Sequence, residues 1–208
     1  MVIDTSVMRR VPHYCYGFLI FLVVNVYLLW GVALPTSHTL SVADYDAIIL
    51  PFRLGASSMM AVVPMLMFAL EVSVAKSRAH LQRALLPCAA FASVIGLLCF
   101  VGATISPYSA LLYGLSGVLV GIGNACCFLL WGVVLARMSA EGCTFLLLLS
   151  GVGSGVFNLI LFSVPSTLAY PIVAILLVMS LLGLQMSLNK LPETVAPAPE
   201  RSRRARVK

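Results

Sequence analysis

Apolar residues along this chain fall into runs of about 20, long enough to cross the roughly 30 Å hydrocarbon core of a bilayer at about 1.5 Å per helical residue. Six such runs, bounded by charged residues, proline or asparagine, stand at Tyr14–Leu34, Ile48–Leu70, Leu85–Ile105, Ser109–Ala136, Cys143–Val164 and Pro171–Leu188. Their apolar positions are continuous rather than alternating with period two. That pattern predicts helices and not barrel strands, because lipid requires each backbone amide to be satisfied within its own segment. The chain is therefore expected to be all-α, a polytopic membrane protein. Its six-helix membrane domain covers residues 14–188, between a cytoplasmic N-terminal segment at 1–13 and a tail at 189–208.

Composition closes off the soluble alternative. Of 208 residues 61% are hydrophobic and 10% charged, and the mean hydropathy is +1.06. A soluble domain of this size needs roughly 25% charged residues to coat its surface, so this is no soluble enzyme. Basic residues then set the orientation, since Lys and Arg near span ends are retained in the cytoplasm. Arg9 and Arg10 precede the first span, Lys76, Arg78 and Arg83 follow the second, Arg137 follows the fourth, and six lie in the tail from Lys190 to Lys208. The loops around 35–47, 106–108 and 165–170 carry none, so both termini are expected inside, at the cell's inner membrane. Adding or losing one helix would put basic loops on both sides. The first span lacks a small-x-small cleavage site and is expected to stay as an anchor. The net charge of +6 follows from this topology and from attraction to anionic lipid, with no need for nucleic acid. The tail, with Pro192, Pro197 and Pro199 and no apolar periodicity, is expected to be disordered or polyproline-like.

Within the spans a few residues stand out. Leu28–Leu34 matches Leu129–Leu135 at six of seven positions, and a three-plus-three repeat of this kind would be inverted, as in many transporters. Leu and Val are common enough here to supply much of that match, and each Trp sits where an interfacial belt puts it. Gly117/Gly121 and Gly151/Gly155 have the GxxxG spacing that lets another helix backbone approach closely. Close packing is the simpler reading; lining a cavity, together with Asn25, Asn124 and Asn158, is the functional one. Arg53 is the one strong charge embedded in a span, where a central Arg costs roughly 2.5–3.5 kcal/mol. It either snorkels to the outer headgroups, toward Asp44 or Asp46, or coordinates an anion beside Asn25 and Tyr27. No carboxylate lies well inside a span: Glu71 ends the second span near Lys76 and Arg78, as a solvated ion pair would. That argues against an autonomous proton-coupled carrier.

Candidate chemistry is sparse. Cys15, Cys88, Cys99, Cys126, Cys127 and Cys143 form no disulfide framework, and His13, His38 and His80 lie in three separate segments, so neither a metal nor a cofactor is expected. Phosphate-loop, nucleophile-elbow and HExxH patterns are absent, and an enzyme is not expected.

The six spans, the Gly-rich fourth helix, and the Leu129-Leu130-Trp131-Gly132 run leading to Arg137-Met138-Ser139-Ala140-Glu141 resemble a bacterial family. So does the Leu148-Leu149-Ser150 stretch after it. In these membrane-anchored LuxR-type regulators a twelve-span, major-facilitator-like region precedes a helix-turn-helix domain. The resemblance covers about Tyr14 to Leu188. It implies half of a major-facilitator-like bundle with the tail as the linker between halves, the chain stopping where a second half would begin. No segment offers a helix-turn-helix, and residues 71–83 lack the Gly-x-x-x-Asp-Arg-x-Gly-Arg-Arg pattern of major facilitators. The expected role is a non-catalytic sensory or anchoring module in the lipid bilayer. The alternative is a small transporter, or transporter half, that pairs with itself or with a second six-helix half.

Overall fold

The structure, a computed structural model, describes residues 11–28, 42–73, 78–103 and 109–190, excepting the side chains of 42–49, 69–73, 78–83, 109, 162, 166 and 167. A short 3-10 turn at His13–Tyr16 leads into α1 (Gly17–Val26), and α2 (Val42–Ser73), α3 (Arg78–Ala103), α4 (Ser109–Ala136), α5 (Ala140–Phe162) and α6 (Ser166–Lys190) follow. No strand occurs among the described residues. Among the described residues five helices are long and apolar enough to cross a membrane, over Leu50–Phe68, Ala84–Ala103, Ala110–Ala136, Ala140–Leu161 and Leu168–Lys190. The described part of the first predicted span is a shorter apolar helix, His13–Val26, continued by Tyr27 and Leu28; its remainder, 29–34, lies outside the described residues. So do Arg9, Arg10, Lys76, the loops at 35–41 and 104–108, and the tail from Leu191; Asn189 and Lys190, expected in a disordered tail, are the last residues of α6.

Most helices outrun the predicted spans. Apolar runs mark where lipid lies, whereas a helix continues wherever its hydrogen bonds can, and Glu, Arg, Gln and Lys propagate helices well in the headgroup zone. Thus α2 starts at Val42 rather than Ile48, which puts Asp44 and Asp46 on the helix of Arg53 and not in a loop before it. α5 starts three residues early because Ser139 caps it, its hydroxyl accepting from Gly142 N at 3.3 Å. α6 starts at Ser166, where the Pro165 carbonyl accepts from Leu168 and Ala169 at 2.9 and 3.0 Å. Pro171, the predicted start, lies inside α6 and costs one backbone bond.

The helices pack as two groups of three. α4 lies against both α2 and α3, and α1 lies against both α5 and α6. The groups correspond when the first three helices are exchanged with the last three: α1 maps onto α4, α5 onto α2, and α6 onto α3. Glycines account for the closeness of the first group. A methyl on Gly117 would collide with the Phe52 carbonyl, one on Gly121 would sit 2.6 Å from the Ala56 carbonyl oxygen, and one on Gly96 would sit 2.9 Å from Val120 N. Without a hydrophobic force between helices in lipid, such backbone-to-backbone dispersion contact is what holds them. The hydroxyl of Ser116 adds an interhelical bond, donating to the Gly96 carbonyl at 2.7 Å. In the second group Gly17 and Gly183 bring α1 and α6 together, a methyl on either lying 3.0 Å from the other's Cα.

Outward faces carry Met65, Phe68, Phe91, Leu111, Val152 and Leu159, each more than two-thirds exposed, as lipid-facing surface requires. At one end Arg137 Nη1 donates to the Leu188 carbonyl at 3.2 Å, and Lys190 Nζ stands 5.6 Å over the Tyr14 ring. At the other, Phe100 stacks with Phe52, Tyr113 and Tyr170 at centroid distances of 5.4, 5.2 and 5.8 Å.

Candidate functional site

The two groups meet where α6 approaches α4 and α3, and along α1 and α4, there through long side chains. Phe18 contacts Trp131 at 5.5 Å between centroids, and one turn on, Phe21 meets Phe128 edge-on at 4.7 Å. Leu28 and Val120 belong to one buried cluster farther along. In the two ring pairs the number rises by three on α1 as it falls by three on α4, so the helices run antiparallel there. Continued by one turn, the register of the ring pairs puts Asn25 and Asn124 at one level, next to Phe21–Phe128.

Both asparagines are buried, with 5% and 2% of their surface exposed, and neither amide nitrogen has a hydrogen-bond partner among the described residues. The rings of Phe18–Trp131 and Phe21–Phe128, both on one side of this level, keep the two helices a ring's breadth apart. Asn124 adjoins Gly123, the middle residue of Ala110–Ala136, so the pair sits at mid-depth. Ser93 joins them there from α3. A methyl on Gly123 would collide with its hydroxyl, which is buried and also unpartnered. Unpaired polar groups at that depth cost roughly 1–3 kcal/mol each by protein mutational measures.

Asn158 reaches the same level on the α5 flank of α1. Its Nδ2 donates to the Ser154 carbonyl at 2.8 Å and to the Val23 carbonyl at 3.3 Å, while Oδ1 is left buried and unpaired. It lies on a buried stripe with Ser150 and Ser154, and it ties α5 to α1.

The structure thus brings Asn25, Asn124 and Asn158 to one depth and sets Arg53 apart. Phe52 packs on Gly117 and Ala56 on Gly121, which places Arg53 about six residues, or roughly 9 Å, nearer the Tyr170 end than Asn124. Arg53 is half-buried with Nε unpaired; the side chains of Asp44 and Asp46 lie outside the described residues. Gly117 and Gly121 both face the α2 backbone. Gly151 and Gly155, with the same spacing, are exposed, and a methyl on either meets nothing within 4 Å. On α5 it is Gly153, between them, that faces α1, a methyl there lying 2.8 Å from Leu19 Cδ1.

Ser93 was not singled out by sequence. Its only signal is a hydroxyl in the middle of an apolar run, which many packing serines share. No group of three or more metal-ligating residues occurs among the described residues. No family model, curated protein or solved structure matches the chain.

Proposed function

We propose that this chain is the sensory and anchoring module of a regulator-like membrane protein. In this reading it crosses the inner membrane six times with both termini in the cytoplasm, resembles half of a major-facilitator-like bundle, and performs no catalysis and no nucleic-acid binding of its own. One observation carries the proposal: two asparagines, on the two helices whose rings meet across the seam, are buried at mid-depth with amide nitrogens that have no partner among the described residues. A small molecule pairing with those amides would change how the groups sit on each other. That change would reach the end where Val11–Tyr14, Arg137 and Lys190 gather.

A second reading, a transporter half that works with a second copy or a second six-helix half, draws on the exchange relation between the groups. An inverted repeat produces that relation, and such repeats place substrate near the midplane where they meet. The test uses the purified full chain. Compounds that raise its unfolding midpoint are carried into two assays, uptake by proteoliposomes and alkylation of Cys143, which is half-buried near the Arg137 end. Sensing predicts altered alkylation of Cys143 without uptake. Uptake above empty vesicles would replace it with the transporter reading, and compounds that change neither would overturn both.

A further inference from the structure

The chemistry around Asn25 and Asn124 restricts what can occupy the seam. At this depth on α1 and α4 the atoms cut off from solvent without partners among the described residues are the amide nitrogens of Asn25 and Asn124, which donate, with the Ser93 hydroxyl beside Asn124; the unpaired acceptor Asn158 Oδ1 lies on the α5 flank of α1, so a ligand between α1 and α4 presents acceptors. No Lys, Arg, Asp or Glu stands at that depth on α1, α3 or α4, so a charged ligand would arrive without a counter-charge at a cost of several kcal/mol. The residues above and below on these two helices, Phe21 and Phe128 on one side and Leu28 and Val120 on the other, are apolar and buried or at the seam's edge, which favours an apolar or aromatic body. Phe128 is 36% exposed, so it stands at the edge of the seam, one turn from Asn124, within the apolar span Ala110–Ala136.

We propose that Asn25 and Asn124 form a binding site for a neutral carbonyl compound that partitions into the bilayer, its carbonyl oxygen accepting from both amide nitrogens while its body lies against Phe21 and Phe128. This rests on the sensory reading above and supplies its ligand class.

The test compares three probes of similar shape on the purified full chain in mild detergent. These are duroquinone, durene (the same methylated ring without oxygens) and 2,4,6-trimethylbenzoate. Duroquinone is expected to raise the unfolding midpoint by about 5 °C or more at roughly 100 times its dissociation constant, with durene and the benzoate inert. Asn25→Leu and Asn124→Leu, which keep the volume and remove the amide, are expected to abolish the response without lowering the basal midpoint. The wild-type comparison stands even if a variant fails to fold. Equal shifts with duroquinone and durene, or no shift with any probe, overturn the proposal. A shift with the benzoate alone also overturns it, but leaves a mid-depth ligand site, and with it the sensory reading, in place.

Discussion

Replacing Gly121 with alanine adds a single methyl where two helix backbones touch. That carbon would stand 2.6 Å from the Ala56 carbonyl oxygen, 2.8 Å from Ala56 Cα and 2.9 Å from Met59 Cβ, where ordinary contact begins near 3.4 Å. Two of the three obstacles are backbone, so no rotamer change relieves the overlap, and α2 and α4 must part by about 0.8 Å along a seam held by dispersion contact. Overpacking of this kind costs roughly 2–3 kcal/mol. The lower backbone entropy of alanine returns about 0.5–1 kcal/mol, leaving a loss of about 1–2.5 kcal/mol. For a chain of this size the unfolding midpoint should fall by roughly 3–8 °C. Gly155→Ala is the matched control, because its methyl meets nothing within 4 Å; its midpoint should hold or rise slightly. Thermal unfolding of both variants in the same mild detergent decides the matter. Equal shifts, or an unmoved Gly121→Ala, would show that α2 and α4 are not in backbone contact there.

Three further outcomes are expected. Asn158→Ala removes the amide that ties α5 to the Val23 carbonyl, and should lower the midpoint by an amount worth about 0.6–1.7 kcal/mol, the usual range for interhelical polar bonds in membranes; a neutral result would mean that the bond is not made. Arg53→Lys should leave stability and any small-anion response unchanged if the side chain only reaches for headgroups, whereas loss of a phosphate- or carboxylate-induced midpoint shift would reveal a bidentate anion contact. Reporter fusions should place Leu40 outside and both Arg78 and Lys208 inside, following the basic residues; an external signal at Lys208 would break the six-span topology.

The centres of the membrane helices are legible in the sequence because lipid enforces them residue by residue, as the run from Leu85 to Ala103 illustrates. Their ends are less so. Val42 begins α2 because a hydrogen-bonded helix passes into the headgroup zone without an apolar signal, and α6 accommodates Pro171 at the loss of one bond that the preceding turn makes tolerable. The glycines show a second limit. Gly117/Gly121 and Gly151/Gly155 share one spacing, which states that a backbone can approach but not whether one does. α2 answers the first pair, while on α5 it is Gly153, off the motif, that meets Leu19. The site was half visible: Asn25, Asn124 and Asn158 are conspicuous as polar residues inside apolar runs. Their common depth depends on the antiparallel register of α1 against α4, set by aromatic pairs about a hundred residues apart, and neither span carries that register alone. The charge of Arg53 suggests a place beside Asn25, whereas α2 packs on Gly117 and Gly121 of α4 in a register that holds Arg53 nearer the Tyr170 end.

Cross-linking across the seam tests the account at its centre. With the six native cysteines replaced by alanine, Asn25→Cys paired with Asn124→Cys should join rapidly with a short bifunctional thiol reagent in membranes, as should Phe21→Cys with Phe128→Cys. The off-register pair Phe18→Cys with Val120→Cys should not. Cross-linking of the off-register pair at a comparable rate, or failure of the Asn25/Asn124 pair where Phe21/Phe128 succeeds, would contradict a mid-depth seam in which the two asparagines face each other.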